Sequence, residues 1–406
     1  MHPCTLRRIA VPLLTIIAGA WMPDRAVANT GACLAPAPVC ASRSAVFRIE
    51  SFSPFASAVR IADSLLVTNR HVVADANEVA VYVAGKKRTA SVLPSSFDGD
   101  LVLLQVTLPA GPTMPPASQR VRRGDTVRTV GYDLSQRQIR VYLEGRVISP
   151  PADGYALARL HHTAHTQPGN SGGAVVNDAG ELVGIATSGG AGIFEAVSVQ
   201  RIDAVRAASG GGHADRHRRL SAAYRSCTFA TEAAQRARGR VPFRLAALLE
   251  NECLETGNRQ FIALAAQAFG RGLEFGRSRA LFERALAIDP NAHNSRLGLV
   301  QTLIFAREYE AAVPHVTTLL ASIPENISAQ RAAVQVGKFA DNTALVARAL
   351  DAIRLHDPAG LDAAERFLAL PARGPQSRQP RRLQDATRPA NDRTDQTNGT
   401  GPVSDE

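Results

Sequence analysis

The sequence predicts a multidomain fold, in which an all-β domain over residues 43–208 is followed by an all-α domain of helical repeats over residues 257–370. Short apolar segments separated by turn residues recur through the first region, a rhythm typical of β-sandwiches and barrels. A glycine run at 210–212 marks a boundary. Beyond it, apolar residues recur at helical spacing and prolines recur every 34 residues.

The first 28 residues have the features of a secretory signal peptide. Arg7 and Arg8 precede an apolar stretch over residues 9–20, and the segment Ala26-Val27-Ala28 fits a cleavage site. The apolar stretch is short for a membrane span. We therefore expect a cleaved signal over residues 1–28, a linker over 29–42, a periplasmic or secreted protein and no stable membrane span. An uncleaved anchor is the alternative.

Export predicts an oxidising compartment, in which cysteines form disulfides. Cys4 would leave with the signal, so an even number of cysteines, Cys33, Cys40, Cys227 and Cys253, remains. Proximity favours the pairs Cys33–Cys40 and Cys227–Cys253, although four cysteines allow three pairings. Lipid attachment at Cys33 is a less favoured alternative, because the residues before it form a poor lipoprotein signal.

Strands are predicted wherever β-branched and apolar residues lie between turn residues, and no segment between 47 and 199 indicates a long amphipathic helix. The predicted strands are 58–61, 65–68, 79–83, 89–93, 101–106, 126–130, 138–147, 174–176, 182–186 and 196–199.

Three short motifs carry the chemistry of the first domain. They are Thr-Asn-Arg-His-Val-Val at 68–73, Asp-Gly-Asp-Leu-Val-Leu-Leu at 98–104 and His-Thr-Gln-Pro-Gly-Asn-Ser-Gly-Gly at 165–173. A serine hydroxyl is a weak nucleophile, which needs a base, a carboxylate that orients the base, and N–H donors for the oxyanion. The motifs supply His71 as the base, Asp100 as the orienting group and Ser171 as the nucleophile.

The N–H groups of Gly169 and Ser171 are the predicted oxyanion hole, since glycines on both sides of the serine allow a tight turn. Asp98 is a rival carboxylate. We prefer Asp100 because it directly precedes a buried strand, whereas Asp98 beside Gly99 has the features of a turn residue. Taken alone, each motif could also be structural, the last one being a plain glycine-rich hairpin turn.

The three segments resemble the trypsin-like peptidases of the chymotrypsin fold, in the bacterial Deg/high-temperature-requirement form. The resemblance covers about residues 43–208 and implies a double β-barrel protease domain with the triad His71, Asp100 and Ser171 between the barrels. Two departures from the family's sequence pattern leave the triad motifs intact. Val102 replaces a small residue, and the segment Ala56-Ser57-Ala58 stands where the family often has Gly-Ser-Gly.

The resemblance also implies a substrate pocket, with His165 at its floor, Thr166 beside it and Thr187, Ser188 and Gly189 along one wall. No acidic residue lies at the expected floor, so a trypsin-like preference for Lys or Arg is not supported. A small polar pocket for small or aliphatic residues is favoured over one that binds an acidic side chain.

The sequence indicates no cofactor and no metal site. It lacks the His-Glu-x-x-His and Cys-x-x-Cys spacings of zinc sites, and we expect His161 and His162 to be structural or solvent-facing. The net charge of +10 could attract nucleic acid, but no aromatic-interleaved basic platform accompanies it. An Arg-rich solvated surface without a nucleic-acid partner is the favoured interpretation.

After a predicted linker at 209–220 and a helical cap at 221–256, Pro290, Pro324 and Pro358 each end a predicted helix. This period resembles tetratricopeptide repeats, with units at 257–290, 291–324 and 325–358. A generic helical bundle is the alternative. Pro314 falls inside a predicted helix, which places that helix boundary in doubt. The apolar-poor segment 371–406 is predicted to be disordered.

Together these features predict an exported serine endopeptidase that cleaves a protein or peptide substrate, with a repeat domain that binds substrate or a partner protein. The alternative is a protein-binding scaffold whose protease domain is latent or inactive.

Overall fold

The computed structural model describes residues 33–237 and 239–371. The expected signal peptide at 1–28 and nearly all of the expected disordered tail at 371–406 lie outside the described residues.

The first barrel is a closed ring of six antiparallel strands, in the order β1-β2-β3-β6-β5-β4. Apolar side chains that alternate along each strand fill its interior, among them Ile49, Leu66, Val81 and Leu104. The strands are β1 Val46–Glu50, β2 Ala56–Ala62, β3 Leu65–Thr68, β4 Glu78–Val83, β5 Lys86–Val92 and β6 Val102–Gln105.

The second barrel is also a closed ring of six antiparallel strands, and a seventh strand pairs with the ring from outside. Its strands are β7 Thr126–Asp133, β8 Gln138–Val141, β9 Gly145–Ser149, β10 Leu160–His162, β11 Ala174–Val176, β12 Leu182–Gly190 and β13 Ile193–Ser198. β7 pairs with both β9 and β11, which closes the ring β7-β11-β12-β13-β10-β9, and β8 pairs with β7 outside it. The predicted chymotrypsin-like double barrel is confirmed.

Most predicted strands match observed ones, but the single strand predicted over residues 138–147 is wrong. The chain forms β8 and then β9 there, with an exposed turn around Leu143 between them. β1 and β10 were not predicted. β10 has only three residues, and two of them are histidines, which carry no strand signal.

Two short helices belong to the β domain. α1, Ala37–Ser42, lies within the expected linker at 29–42 and buries Val39 in the cluster between the barrels. The structure joins Cys33 to Cys40 at this helix, with an S–S distance of 2.07 Å. α2, Arg70–Val73, directly follows β3.

The rest of the chain is helical, and it begins earlier than expected. The helices are α3 Ile202–Ala207, α4 Ala214–Arg236, α5 Phe243–Glu255, α6 Arg259–Arg271, α7 Phe275–Ile288, α8 His293–Ala306, α9 Tyr309–Ser322, α10 Ile327–Phe339, α11 Thr343–His356 and α12 Leu361–Ala369. The expected linker at 209–220 is largely the start of α4, because His217 and Leu220 in its basic run are buried. No helix in the described ranges has the length and apolar character that a membrane crossing requires.

Each predicted repeat unit contains one pair of helices: α6 and α7, α8 and α9, then α10 and α11. Pro290, Pro324 and Pro358 follow the second helix of their pairs. Pro314 lies inside α9 without ending it. It is the sixth residue of that helix, so its missing N–H removes one early hydrogen bond. α4 and α5 pack as a further pair joined by the Cys227–Cys253 disulfide, with an S–S distance of 2.02 Å.

The helical region packs against the second barrel. The side-chain amide of Asn294 donates to the Ile193 carbonyl at 3.1 Å, and that of Asn326 donates to the Ala191 carbonyl at 2.9 Å. Apolar residues of the β domain, Ile148 and Ile193, belong to the same buried cluster as the helices. The tip of the β12–β13 hairpin is therefore held by the helical region.

Candidate active site

His71 and Asp100 form a hydrogen-bonded pair between the first barrel and α2. The Nδ1 atom of His71 lies 2.8 Å from Oδ2 of Asp100, and the His71 backbone N–H donates to Oδ1 at 3.0 Å. The Asp100 carboxyl is buried, and burial alone would raise its pKa, but His71 and the charge of Arg159 lower that pKa to about 2. An ionised carboxylate only accepts hydrogen bonds, so Nδ1 of His71 carries the proton and Nε2 is left able to accept one.

The carboxylate of Asp100 has a further partner in the second barrel. The hydroxyl of Thr187 on β12 donates to Oδ2 at 2.7 Å. The side-chain amide of Asn69 donates to the Asp100 carbonyl at 3.0 Å, which fixes the loop before β6 against α2. Asp98, the rival carboxylate, instead forms a partly exposed ion pair with Arg216 at 3.1 Å.

Ser171 lies in the tight turn that precedes β11. The residue is partly exposed, and its hydroxyl donates to the Thr187 carbonyl at 3.3 Å. The Ser171 carbonyl accepts from the Ser57 backbone N–H at 2.8 Å, so β2 of the first barrel holds the turn in place. Thr187 thus contacts both the Asp100 carboxylate and the Ser171 hydroxyl.

The segment before Ser171 is a type II turn. The Asn170 N–H donates to the Gln167 carbonyl at 2.9 Å, Pro168 is the second residue, and Gly169 follows with φ +100°. The buried Asn170 amide donates to the Tyr132 carbonyl at 3.0 Å. These contacts fix the turn against β7.

Gly169 and Ser171 supply N–H groups at this turn. Within the described residues neither N–H donates to an acceptor of the protein, whereas the Asn170 N–H between them does. The Ser57 hydroxyl donates to the Gly169 carbonyl at 2.8 Å and fixes the orientation of that peptide. Two unused N–H donors in one tight turn, one of them on the serine, can stabilise a developing oxyanion.

A cleft of about 410 Å³ lies beside Ser171. The structure brings Thr166, Thr187, Ser188 and Gly189 into its lining, together with Phe55, Leu134 and residues 167–169. His165 lies outside this lining. Its exposed ring packs between the rings of Tyr142 and Phe194, each with a centroid 5.6 Å away.

Phe194 of β13 lies behind the cleft wall at Gly189, and no motif marks it in the sequence. A Cβ atom placed on Gly189 would lie 2.3 Å from the Phe194 ring, so that ring occupies the space of a side chain on the pocket wall. His162 packs on the other side of Phe194, at 6.3 Å between centroids. His161 and His162 are both fully buried, so the solvent-facing interpretation of these residues is wrong.

The helical region also contacts His71. The ring of Phe261 of α6 lies edge-on to the His71 ring, with 6.4 Å between the ring centroids. Phe261 packs in turn against Tyr224 of α4, with 5.3 Å between centroids. No motif marks Phe261 in the sequence, because an apolar residue on an amphipathic helix is ordinarily a core residue. In the described ranges, no group of three or more His, Cys, Asp or Glu side chains could hold a metal ion.

Comparisons with known proteins find similarity over the β domain. Residues 56–185 match the family described as trypsin-like peptidase domain. The serine endoprotease DegS of Escherichia coli K12 is 36% identical over 129 residues, which cover 30% of this chain and 36% of that protein. DegS of Haemophilus influenzae is 33% identical over 132 residues, covering 31% of this chain and 38% of that protein.

Among solved structures, the HtrA-type protease AlgW with a tripeptide is similar at 26% identity and a TM-score of 0.36, covering 42% of this chain and 61% of that one. The Rv3671c protease in its inactive form matches at 21% identity and a TM-score of 0.38, covering 44% of this chain and 100% of that one. The chain spans little more than a third of the length of the DegS relatives that it matches.

Proposed function

We propose that this protein is an exported serine endopeptidase with a Ser171–His71–Asp100 triad. The observation that carries the proposal is the bond between His71 Nδ1 and Asp100 Oδ2, next to a serine turn with two unused N–H donors. The match of residues 56–185 to the trypsin-like peptidase domain and the Deg-type relatives support it.

The reaction follows from the roles of these groups. His71 Nε2 takes the proton of Ser171, whose oxygen attacks the substrate carbonyl, and the N–H groups of Gly169 and Ser171 bind the oxyanion. His71 then gives the proton to the leaving amine, and water releases the acyl group. For the first step the Ser171 hydroxyl must exchange its bond to the Thr187 carbonyl for one to Nε2.

The substrate binds as an extended strand along β12. β11 pairs with β12 only as far as Ile185, and from Ser188 to Gly190 the described partner of β12 is β13. The other edge of these residues is open to a peptide strand, the mode known as β-augmentation. Phe194 fills the space beside Gly189, so small or aliphatic residues before the cleaved bond suit this pocket.

The helical pairs from α6 to α11 are proposed to be tetratricopeptide-like repeats that bind substrate or a partner protein. Their support is the 34-residue spacing of Pro290, Pro324 and Pro358 and the one-to-one match of helix pairs to repeat units. Two disulfides and the signal-like residues 1–28 support export to the periplasm or beyond the cell.

A fluorophosphonate probe and a casein substrate test the assignment in the full chain. We expect Ser171→Ala to abolish both labelling and hydrolysis while the far-UV circular dichroism spectrum stays unchanged. Asp100→Asn should lower kcat by about 10⁴-fold, because the base loses the partner that fixes its tautomer. Asp98→Asn is the matched control and should keep full activity. Hydrolysis that survives Ser171→Ala in pure protein would refute the assignment.

A second candidate is a scaffold whose protease domain is latent. The observation that favours it is the bond from the Ser171 hydroxyl to the Thr187 carbonyl, which occupies the hydroxyl proton that His71 would take. In that case the native chain would neither label nor cleave casein on its own, and addition of a peptide that binds the helical region would start both reactions.

A further inference from the structure

We propose that the helical region completes the catalytic centre, because its residue Asn258 holds Arg159, a positioning residue for Asp100 and for the substrate strand at Ser188. This inference rests on the proposed peptidase function and deepens it. It predicts that catalysis depends on residues of the helical region that never touch the substrate.

Arg159 directly precedes β10, and its side chain is buried between the two regions, with an exposed fraction of 4%. One terminal nitrogen, Nη2, lies 3.7 Å from Oδ2 of Asp100. The other, Nη1, donates to the Ser188 hydroxyl at 2.9 Å. A single guanidinium therefore contacts the orienting carboxylate and the strand that would bind substrate.

Asn258 of the helical region determines where this guanidinium lies. Its Oδ1 atom accepts from Nη2 of Arg159 at 2.7 Å, the shortest of the Arg159 contacts. The same Oδ1 accepts from the Gln260 N–H at 3.0 Å, so Asn258 is the N-cap of α6. Because the cap anchors Asn258 to a rigid helix, docking of α6 fixes the position of Arg159.

A buried carboxylate links the two regions a second time. Glu195 on β13 accepts from Arg159 at 3.1 Å and from the Ser188 hydroxyl at 2.8 Å, and it pairs with Arg259 of α6. Burial alone would raise the pKa of Glu195, but Arg259, His161 and Arg159 hold it well below the usual range. The negative charge of Glu195 is therefore balanced by an arginine from each side of the interface, Arg159 from the β domain and Arg259 from α6.

Asp289, the residue after α7, fixes the backbone at the same place. Its Oδ2 atom accepts from the Arg159 N–H at 3.2 Å and lies 3.0 Å from Nε2 of His161 and 3.5 Å from Nε of Arg259. Both Asp289 and His161 are fully buried. The main chain and the side chain of Arg159 are thus both held by the helical region.

These buried charges do more than hold the helical region against the barrel, because they also surround Asp100. Loss of one partner from a buried charge pair leaves an uncompensated charge, which is strongly destabilising. The interface buries three carboxylates, from Asp100, Glu195 and Asp289, against the guanidinium groups of Arg159 and Arg259. Since one of these carboxylates orients the base, a shift of the helices against the barrel changes the charge that the base experiences.

The first test replaces Arg159 in the full chain. We expect Arg159→Met to lower kcat by about 100-fold, the loss that follows from small misplacement of catalytic groups, with a smaller change in KM. The acid limb of kcat/KM should move to higher pH, because the loss of a positive charge favours proton uptake by the His71–Asp100 pair. Arg159→Lys should restore part of the kcat and part of the pH profile. Arg277→Met, which breaks an ion pair within the helical region, should change neither the kcat nor the pH profile.

The pH readout has a defined set of contributors. The charged and titratable groups around Asp100 are His71 and Arg70 from α2, Arg159 before β10, and Tyr224 from α4. Of these, only Arg159 is changed in the test.

The second test crosses the interface. Asn258→Ser keeps a residue that caps helices well but shortens the side chain that reaches Arg159. We expect a lower kcat and the same direction of shift in the pH profile as for Arg159→Met. Asn342→Ser is the matched control, because Asn342 caps α11 in the same way and makes no described contact with the β domain.

The outcomes separate the inference from the proposed function. An inert native chain that matches Ser171→Ala in every assay contradicts the peptidase assignment itself. An active native chain combined with a folded Asn258→Ser variant of unchanged kcat and pH profile overturns the inference, and this holds even where Arg159→Met fails to fold.

Discussion

The turn at Ser171 depends on a glycine that follows it, and Gly172→Ala tests that dependence. Gly172 has φ +82°, and a Cβ atom there would lie 2.1 Å from the Ser57 carbonyl oxygen and 2.2 Å from Oγ1 of Thr68. Neither group can withdraw freely, because the Thr68 hydroxyl donates to the Ser57 carbonyl at 2.8 Å. The added methyl must therefore move the serine turn away from the first barrel.

Two contributions set the magnitude. A left-handed backbone costs a residue with a Cβ about 1–2 kcal/mol, and forcing a methyl group into a packed site costs about 1–3 kcal/mol more. Gly172→Ala should therefore lower the free energy of unfolding by about 2–5 kcal/mol. On the proposed function hydrolysis should fall as well, because the displaced turn carries both Ser171 and the proposed oxyanion donors.

Gly124→Ala is the matched control, since Gly124 has φ +90° and open space where its Cβ would be. It should cost only the backbone part, about 1–2 kcal/mol, and leave hydrolysis unchanged. Urea unfolding followed by circular dichroism and a casein assay measure both effects. Equal unfolding free energies for the two variants, with full activity in Gly172→Ala, would refute the packing argument.

Three further predictions concern the pocket, the cap and the response to acid. Phe194→Ala should open the pocket and raise kcat/KM for peptides with large residues before the cleaved bond, measured on a peptide series; an unchanged preference would exclude Phe194 from the pocket. The double variant Cys227→Ala/Cys253→Ala should lower the unfolding free energy of the helical region by about 3–4 kcal/mol on the loop-entropy model for a separation of 26 residues, and an unaltered urea midpoint would contradict this. Burial and the charge of Arg70 lower the pKa of His217 from 6.5 to about 4, so the unfolded chain binds a proton that the folded protein does not, and stability should fall as the pH drops through that window. His217→Gln should flatten this part of the stability profile, and a profile of unchanged slope would argue against the assignment.

The sequence predicted the parts of the fold that depend on local patterns. The 34-residue spacing of prolines predicted three helix pairs, because each pair ends where proline cannot continue a helix. The motifs around His71, Asp100 and Ser171 predicted three segments that the structure brings to the junction of the two barrels. Such motifs can be recognised in a sequence because tight turns and buried strands restrict the residue types at each position.

The parts that escaped prediction depend on contacts between distant segments. The basic run after Gly212 indicated a linker, yet His217 accepts hydrogen bonds from the Arg70 side chain and the Ser95 N–H across the domain boundary, which fixes α4 there. Arg159 and Asp289 have no local signal at all, since an isolated charged residue is ordinarily solvated. Only their shared burial reveals them.

The Arg159 cluster also has a consequence for the order of assembly during synthesis. Its hydrogen bonds join residues 99, 128 and 130 positions apart, and chain segments become available in order from the N-terminus. Both barrels can close once residue 198 has emerged from the ribosome. The cluster cannot form until Asp289 has also been synthesised. A nascent chain would therefore carry finished barrels before the proposed catalytic centre is complete, and on the proposed function proteolysis would begin only after most of the polypeptide has been made.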